Sequence, residues 1–551
     1  MGIRDWNGPG RDPARMAVAV AVGQAVPDRL LSLISVRHSL TYVVVVILGV
    51  SPWVTGCRPA PASKKTDGSS AALTQHKQRL RPQQASRLAK PRPTPSTDAS
   101  NPPKDGANPS IAGRAEPVQP PRRTLGELLE MPADATDRWL PDAVKVKVDD
   151  AAALAAGIRK LEGRHVIFYT DLPADEQTDA LPAVFDQAIP QWARYFGIDP
   201  QKAAEWRLTG FLIKDAEPFR RLGLLPADLP PFQHGFSRNT DFWIHEQPSD
   251  YALRHLVLHE GTHCFMNSFL GACGPPWFME GTAELLATHR LTDEGHLELN
   301  RMPRARNEVP MWGRIKLVKD AVAAGRGRSL REVLDYRYQV FLETEPYAWS
   351  WAAAMFLDRH PKYGELFRRL RGDVLRPYLT KQFIAAVGDE WTALEQQWAV
   401  FLDELDYGCD VAATLVDVAP GKPLDPAGVH VSISARHGWQ NSGVRVEQGK
   451  KYHLRAEGRY QVADRPKIWW CEPGGVTIRY SRGRPLGMLL ATVLPDSTST
   501  GDRSIVPEAI AVGLEATVKP TRSGTLYLRI NESSAELGDN AGEVEVEIGL
   551  E

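Results

Sequence analysis

The chain has 551 residues, with 66 lysines and arginines against 67 aspartates and glutamates. At roughly 150 residues per domain this length predicts about two to four folded units, and the balanced charge gives no electrostatic reason to expect nucleic acid as a partner. The five cysteines, at 57, 264, 273, 409 and 471, form no CxxC pair, so neither a redox motif nor a cysteine zinc cluster is indicated.

Arg37 and His38 precede an apolar run over residues 40–54, the length of a signal-peptide core and short for a membrane span. The run closes on Val54-Thr55-Gly56-Cys57, which resembles the bacterial lipobox. Residues 1–56 are then a signal peptide or lipoprotein leader, and Cys57 is the lipidation site. An uncleaved anchor is the alternative, and either one predicts an exported, membrane-anchored, extracytoplasmic protein, periplasmic or at the cell surface. Residues 57–123 are rich in Pro, Ser and basic residues and lack aromatics, which predicts a disordered tether.

Helical spacing of Leu125, Leu128 and Leu129 opens a unit expected to span 124–408. Amphipathic stretches at 151–161 and 181–196 read as helices, whereas 165–169, 208–213 and 242–245 read as strands. From 251 to about 405 the pattern is mainly helical. The expected fold class is α+β, a mainly helical domain with a small N-terminal sheet.

The predicted helix at 251–269 contains His259-Glu260-Gly261-Thr262-His263, an HExxH pattern. Residues four apart share a helix face, so both imidazoles reach one metal, and Glu260 sits one position round, beside a metal-bound water. Zinc lowers the pKa of such a water to about 7, and the carboxylate takes its proton and later delivers it to a leaving amine. His255 shares the face, but three histidines in a row are too extended to converge, so a packed or solvated neighbour is expected there. Downstream, Gly271, Gly274, Pro275 and Pro276 form a turn into a second helix bearing Glu280-Gly281-Thr282-Ala283-Glu284. Gly281 is expected where the two helices approach closely. A Cys264–Cys273 bridge is left open, because sequence alone does not set the Cα separation.

Together these two motifs resemble the gluzincin metallopeptidases, specifically the bacterial peptidase-MA-like group related to aminopeptidase N. The likeness is strong over 251–289 and weak over about 160–400. It implies Zn2+ held by His259, His263 and Glu280, with Glu260 as catalytic general base. Glu284 is expected to orient a ligand histidine, or to replace Glu280 if the helix register differs. The family stabilises the oxyanion with a tyrosine on a later helix; residues 346–351 resemble that segment and make Tyr347 the second catalytic candidate, a packing aromatic being the alternative. The family also pairs substrate with an edge strand ahead of the HExxH helix, the place that 242–246 occupies. The GxMEN segment by which the aminopeptidase branch binds a free amine is not seen.

After Cys409 the texture changes to short alternating runs at 429–433, 451–456, 476–480 and 526–530, punctuated by Gly and Pro, which predicts a separate all-β sandwich over 409–551. Segments 438–444, 485–489, 526–528 and 538–542 resemble the bacterial galactose-binding lectin of the PA-IL type. That resemblance implies a Ca2+ ion bridging protein and sugar, with Asp539 and Asn540 on matching positions; a scaffold that has lost its sugar site is the alternative. The expected function is a membrane-tethered extracytoplasmic zinc metallopeptidase acting on a peptide or protein substrate, with a glycan as further partner of the C-terminal domain. The alternative is a surface carbohydrate- or protein-binding lipoprotein whose zinc domain is non-catalytic.

Overall fold

A computed structural model describes residues 145–376, 378–495 and 509–551. The leader, Cys57, the linker and the helix expected around Leu125 lie outside the described residues.

The first described helix, α1 (Asp150–Ala155), is capped by Asp149, whose side chain accepts from the amides of Ala151 and Ala152. The helix expected to run to 161 stops there. The chain turns through Gly157 at φ 84, and Arg159–Glu162 becomes strand β1, because a left-handed residue that glycine adopts without strain ends the helical repeat. Strands β2 (Val166–Thr170), β3 (Leu208–Ile213), β4 (Gly235–Arg238) and β5 (Asp241–His245) complete a sheet of order β1-β2-β3-β5-β4. β2, β3 and β5 run parallel, while β1 and β4 are antiparallel edges. Every residue of β3 is buried, as expected for a parallel strand covered on both faces. One face packs on helix α2 (Leu181–Phe196) through Phe168, Phe185 and Phe242; the other holds Phe211, Phe219 and Trp243. Residues 242–246, expected to be the substrate-pairing edge, are therefore interior, and the edge belongs to β4.

The helix-rich region that follows is built around α3 (Asp250–Leu270). Ser249 caps it through a bond from the Ala252 amide, and Gly271 ends it in the left-handed region. From Tyr251 to Asn267 every residue of α3 except Arg254 is buried, so the helix has no solvent face. Helix α4 (Pro276–Ala287) packs directly on it; α6 (Glu345–Arg359) packs on α4 and on α5 (Arg314–Ala323), α7 (Trp391–Glu404) packs on α5, and a hairpin of β6 (His289–Leu291) and β7 (Leu297–Leu299) lies against α2 and α4. Gly281 permits a close approach to α6 rather than to α3, since a Cβ there would lie 2.7 Å from the Ser350 carbonyl oxygen. The residue that lets a neighbour close on α3 is Gly261, where a Cβ would meet Phe185 at 2.5 Å. Cys264 and Cys273 are free buried thiols, not a disulfide.

A β region follows, with strands at all four of the expected runs. One sheet orders Ile510–Ala511, Leu489–Leu494, Gly524–Ile530, Gln440–Val446 and Lys422–Pro423; the other orders Glu515–Val518, Tyr452–Glu457, Glu543–Leu550 and Val429–Ser434. Their inner faces share one core, including Leu454, Leu489, Leu528 and Val546. The sandwich has its own core and packs against the helices. Leu490, Leu494 and Tyr527, on its outer face, pack with Val400 of α7, Val416 and Trp439, and Arg529 forms a buried ion pair with Glu404.

The Asp241 carboxyl at the start of β5 accepts the Val146 amide at 2.9 Å, and burial raises its pKa to about 6. The folded chain then holds this proton more tightly than the unfolded chain, so stability falls as pH rises from about 4 to about 6. Asp241→Asn is expected to flatten that part of the stability–pH profile by about 3 kcal/mol, read from urea midpoints on either side of the window.

Candidate metal centre

α3 and α4 bring three ligand-type atoms together. His259 Nε2 lies 3.1 Å from His263 Nε2, and Glu280 Oε2 lies 3.2 Å from the first and 3.6 Å from the second. All three residues are buried, and the cluster could hold a metal ion. Burial lowers the pKa of His259, and brings that of His263 down to about 3, so both rings are neutral near pH 7 and have lone pairs to offer.

Glu260 is fully buried beside the cluster, and neither carboxylate oxygen has a hydrogen-bond partner among the described residues. Burial pushes its pKa well above the usual carboxylate range; the nearby Ser237 hydroxyl pulls the other way without closing a well-formed bond, and the Glu280 and Glu284 charges add to the rise. The carboxylate also lies against β4, since a Cβ on Gly235 would be 2.5 Å from Oε1. Gly235 and Ser237 project to one side of their strand, so the edge strand forms one wall of the centre.

Glu284, one turn beyond Glu280, stands 3.5 Å from His259 Nδ1. Its Oε2 accepts from Arg314 Nε at 3.0 Å and its Oε1 from Arg314 Nη2 at 2.7 Å. His255 Nε2 meets the same carboxylate at 3.2 Å, and its Nδ1 meets the Ala287 carbonyl at 3.0 Å. Burial alone would raise the Glu284 pKa, but the Arg314 charge and then His255 outweigh it and hold the carboxyl well below its ordinary value. His255 is thus a packed neighbour, tied to a carboxylate that the Arg314 fork already engages from another side.

Tyr347, near the start of α6, is buried with its ring centroid 6.3 Å from that of His259. Its hydroxyl donates to the Phe341 carbonyl at 3.4 Å. Arg314 and Ser237 were missed by sequence reasoning. Neither lies in a motif, and only the order of strands and the packing of α5 bring them to the cluster.

In the β region the expected positions carry buried acceptors. Asp539 Oδ1 and Asn540 Oδ1 are buried without partners, and so is Glu532 Oε2, which sequence reasoning also missed. Asn540 Nδ2 donates to the Ala435 carbonyl at 2.9 Å, and Gln461 Nε2 donates to the Asp539 carbonyl at 2.6 Å, which fixes the segment. Burial lifts the Glu532 pKa to about 8.

No family model matches this chain, and no curated protein matches it. Among solved structures it is similar to one described as "EclA N-terminal domain; PllA-like lectin", at 21% identity and a TM-score of 0.18, over 22% of this chain and 98% of that chain.

Removing one partner of the Glu284–Arg314 pair leaves a buried charge unmatched, so Arg314→Met is expected to cost about 3–5 kcal/mol of stability, measured by urea denaturation. Glu284→Gln is expected to weaken metal binding about 10–100-fold, measured by competition with a chromophoric chelator. Unchanged affinity would show that Glu284 does not orient His259.

Proposed function

We propose that the chain is a zinc-dependent peptidase of the gluzincin type, with His259, His263 and Glu280 as metal ligands and Glu260 as general base. The observation that carries this reading is the spacing of the three ligand atoms. Atoms about 2.0–2.1 Å from a tetrahedral zinc stand about 3.3 Å apart, and the separations here are 3.1, 3.2 and 3.6 Å. The donor set of two imidazoles and one carboxylate is that of catalytic zinc sites, which leave a further position open. Zinc in such a site supplies Lewis acidity and a water of lowered pKa.

Glu260, with no partner of its own, is free to take a proton from the attacking water and to deliver it to the leaving amine. Its buried, raised-pKa setting suits that exchange. Tyr347 is the nearby hydroxyl donor for the developing oxyanion once it leaves the Phe341 carbonyl. The outer side of β4 is the edge on which an extended peptide would pair. Glu260 and Tyr347 are each 0% exposed, so substrate entry requires the covering segments to move.

The orphaned oxygens of the adjacent Asp539 and Asn540 support a second reading for the β region, an oxygen site suited to calcium and, through it, to glycan hydroxyls. Export and tethering through Cys57 rest on the sequence. Among the described residues no helix is long and apolar enough to cross a membrane.

Glu260→Gln is expected to retain zinc and lose about 10²–10⁴-fold in peptide cleavage. Metal analysis and a peptide library test this together, and a wild type that binds zinc yet cleaves nothing would sink the peptidase reading. Calcium is expected to raise the melting temperature of the wild type, an effect absent in Asp539→Ala; equal shifts in both would remove the calcium site.

A further inference from the structure

A cavity of about 480 Å³ lies away from the metal centre, where the segment after α7 crosses the β6–β7 hairpin and the last turn of α6. That volume falls within the roughly 300–1,000 Å³ typical of small-molecule sites. Met302, Met355 and Val411 supply apolar wall, and Arg290, Arg301, Arg304 and Arg359 carry the polar part. None of these residues belongs to the metal cluster.

The arginines outnumber the acids that could neutralise them. Arg290 and Arg301 share the single Glu298 carboxylate, at 2.9 and 3.2 Å. Glu308 and Asp410 also line the cavity, but Glu308 accepts the Arg304 amide at 2.8 Å and Asp410 the Ala413 amide at 3.1 Å. Arg359 donates to the backbone and side-chain oxygens of Asn300, which carry no charge. The Arg304 guanidinium forms no ion pair among the described residues, although its charge helps to lower the Glu298 pKa. Among the residues that line the cavity, four arginines stand against two carboxylates, Glu308 and Asp410, and the Glu298, Glu308 and Glu294 charges all act on Arg290. The unused donors sit on Arg304 and Arg359, whose planar forks match a carboxylate or phosphate better than a point charge would.

We propose that this cavity binds a small oxyanion with an apolar body, its charged group on Arg304 and Arg359 and its body against Met302, Met355 and Val411. Such a ligand would bridge the hairpin, α6 and the segment leading into the β region, and so bind outside the peptidase centre. The inference does not depend on the metal or on peptidase activity.

Calorimetric titration of the full chain with phenyl phosphate, benzoate, inorganic phosphate and phenol tests it. One or both aryl anions are expected to bind more tightly than inorganic phosphate and phenol, and the stronger of the two identifies the oxyanion. Arg304→Ala is expected to weaken that binding by about tenfold or more, and Arg304→Ala/Arg359→Ala to abolish it. Arg304 is exposed and forms no ion pair among the described residues, so the single variant is expected to fold. Phenol binding as tightly as phenyl phosphate, anion binding that both variants retain in full, or no aryl anion binding to the wild type would each overturn the proposal.

Discussion

The buried fork between Arg314 and Glu284 is the interaction on which the buried His/Glu cluster depends. α3 and α4 place three histidines and three glutamates in space that water does not reach, and isolated buried charges cost several kcal/mol each. One guanidinium, itself fully buried, compensates for Glu284 and leaves that carboxylate fixed behind His259. Glu260 and Glu280 lie in the same buried space and form no ion pair with a lysine or arginine among the described residues.

A second buried pair has a comparable part at the other end of the helices. Glu404, at the end of α7, receives Arg529 from the sandwich, while its backbone carbonyl accepts the Ser534 hydroxyl at 2.7 Å. The segment that carries Ser534 also carries Glu532, Asp539 and Asn540. Whatever occupies the orphaned oxygens there is therefore joined through a few residues to the helical region, and the sandwich is a packed part of the molecule rather than a loosely appended module.

The local parts of this arrangement were legible in the sequence, and the non-local parts were not. The four-residue spacing of His259 and His263, and the turn that returns Glu280, are properties of short segments, and they placed three side chains that the fold does bring together. The order of strands is not a local property. A run of apolar residues at 242–245 looks the same at an edge as in an interior, and only the antiparallel pairing of β4 decides which it is. Arg314 gave no signal because its partner lies 30 residues back and a buried arginine has no sequence mark of its own. Gly281 was rightly read as a contact point between helices but assigned to the wrong neighbour, since spacing shows that a helix approaches without showing which one.

Gly235 sits in an ordinary extended strand, and its backbone would accept any residue. A Cβ there would lie 2.5 Å from Glu260 Oε1, so a larger residue at 235 requires the carboxylate, the end of a flexible side chain, to shift. The two positions therefore form one steric unit, and its history should be shared. In any descendant that abandons the carboxylate, the restraint at 235 disappears, and the vacated space invites a side chain. Lineages that keep the carboxylate and lineages that lose it would then differ at both positions together, even where the two histidines survive in each.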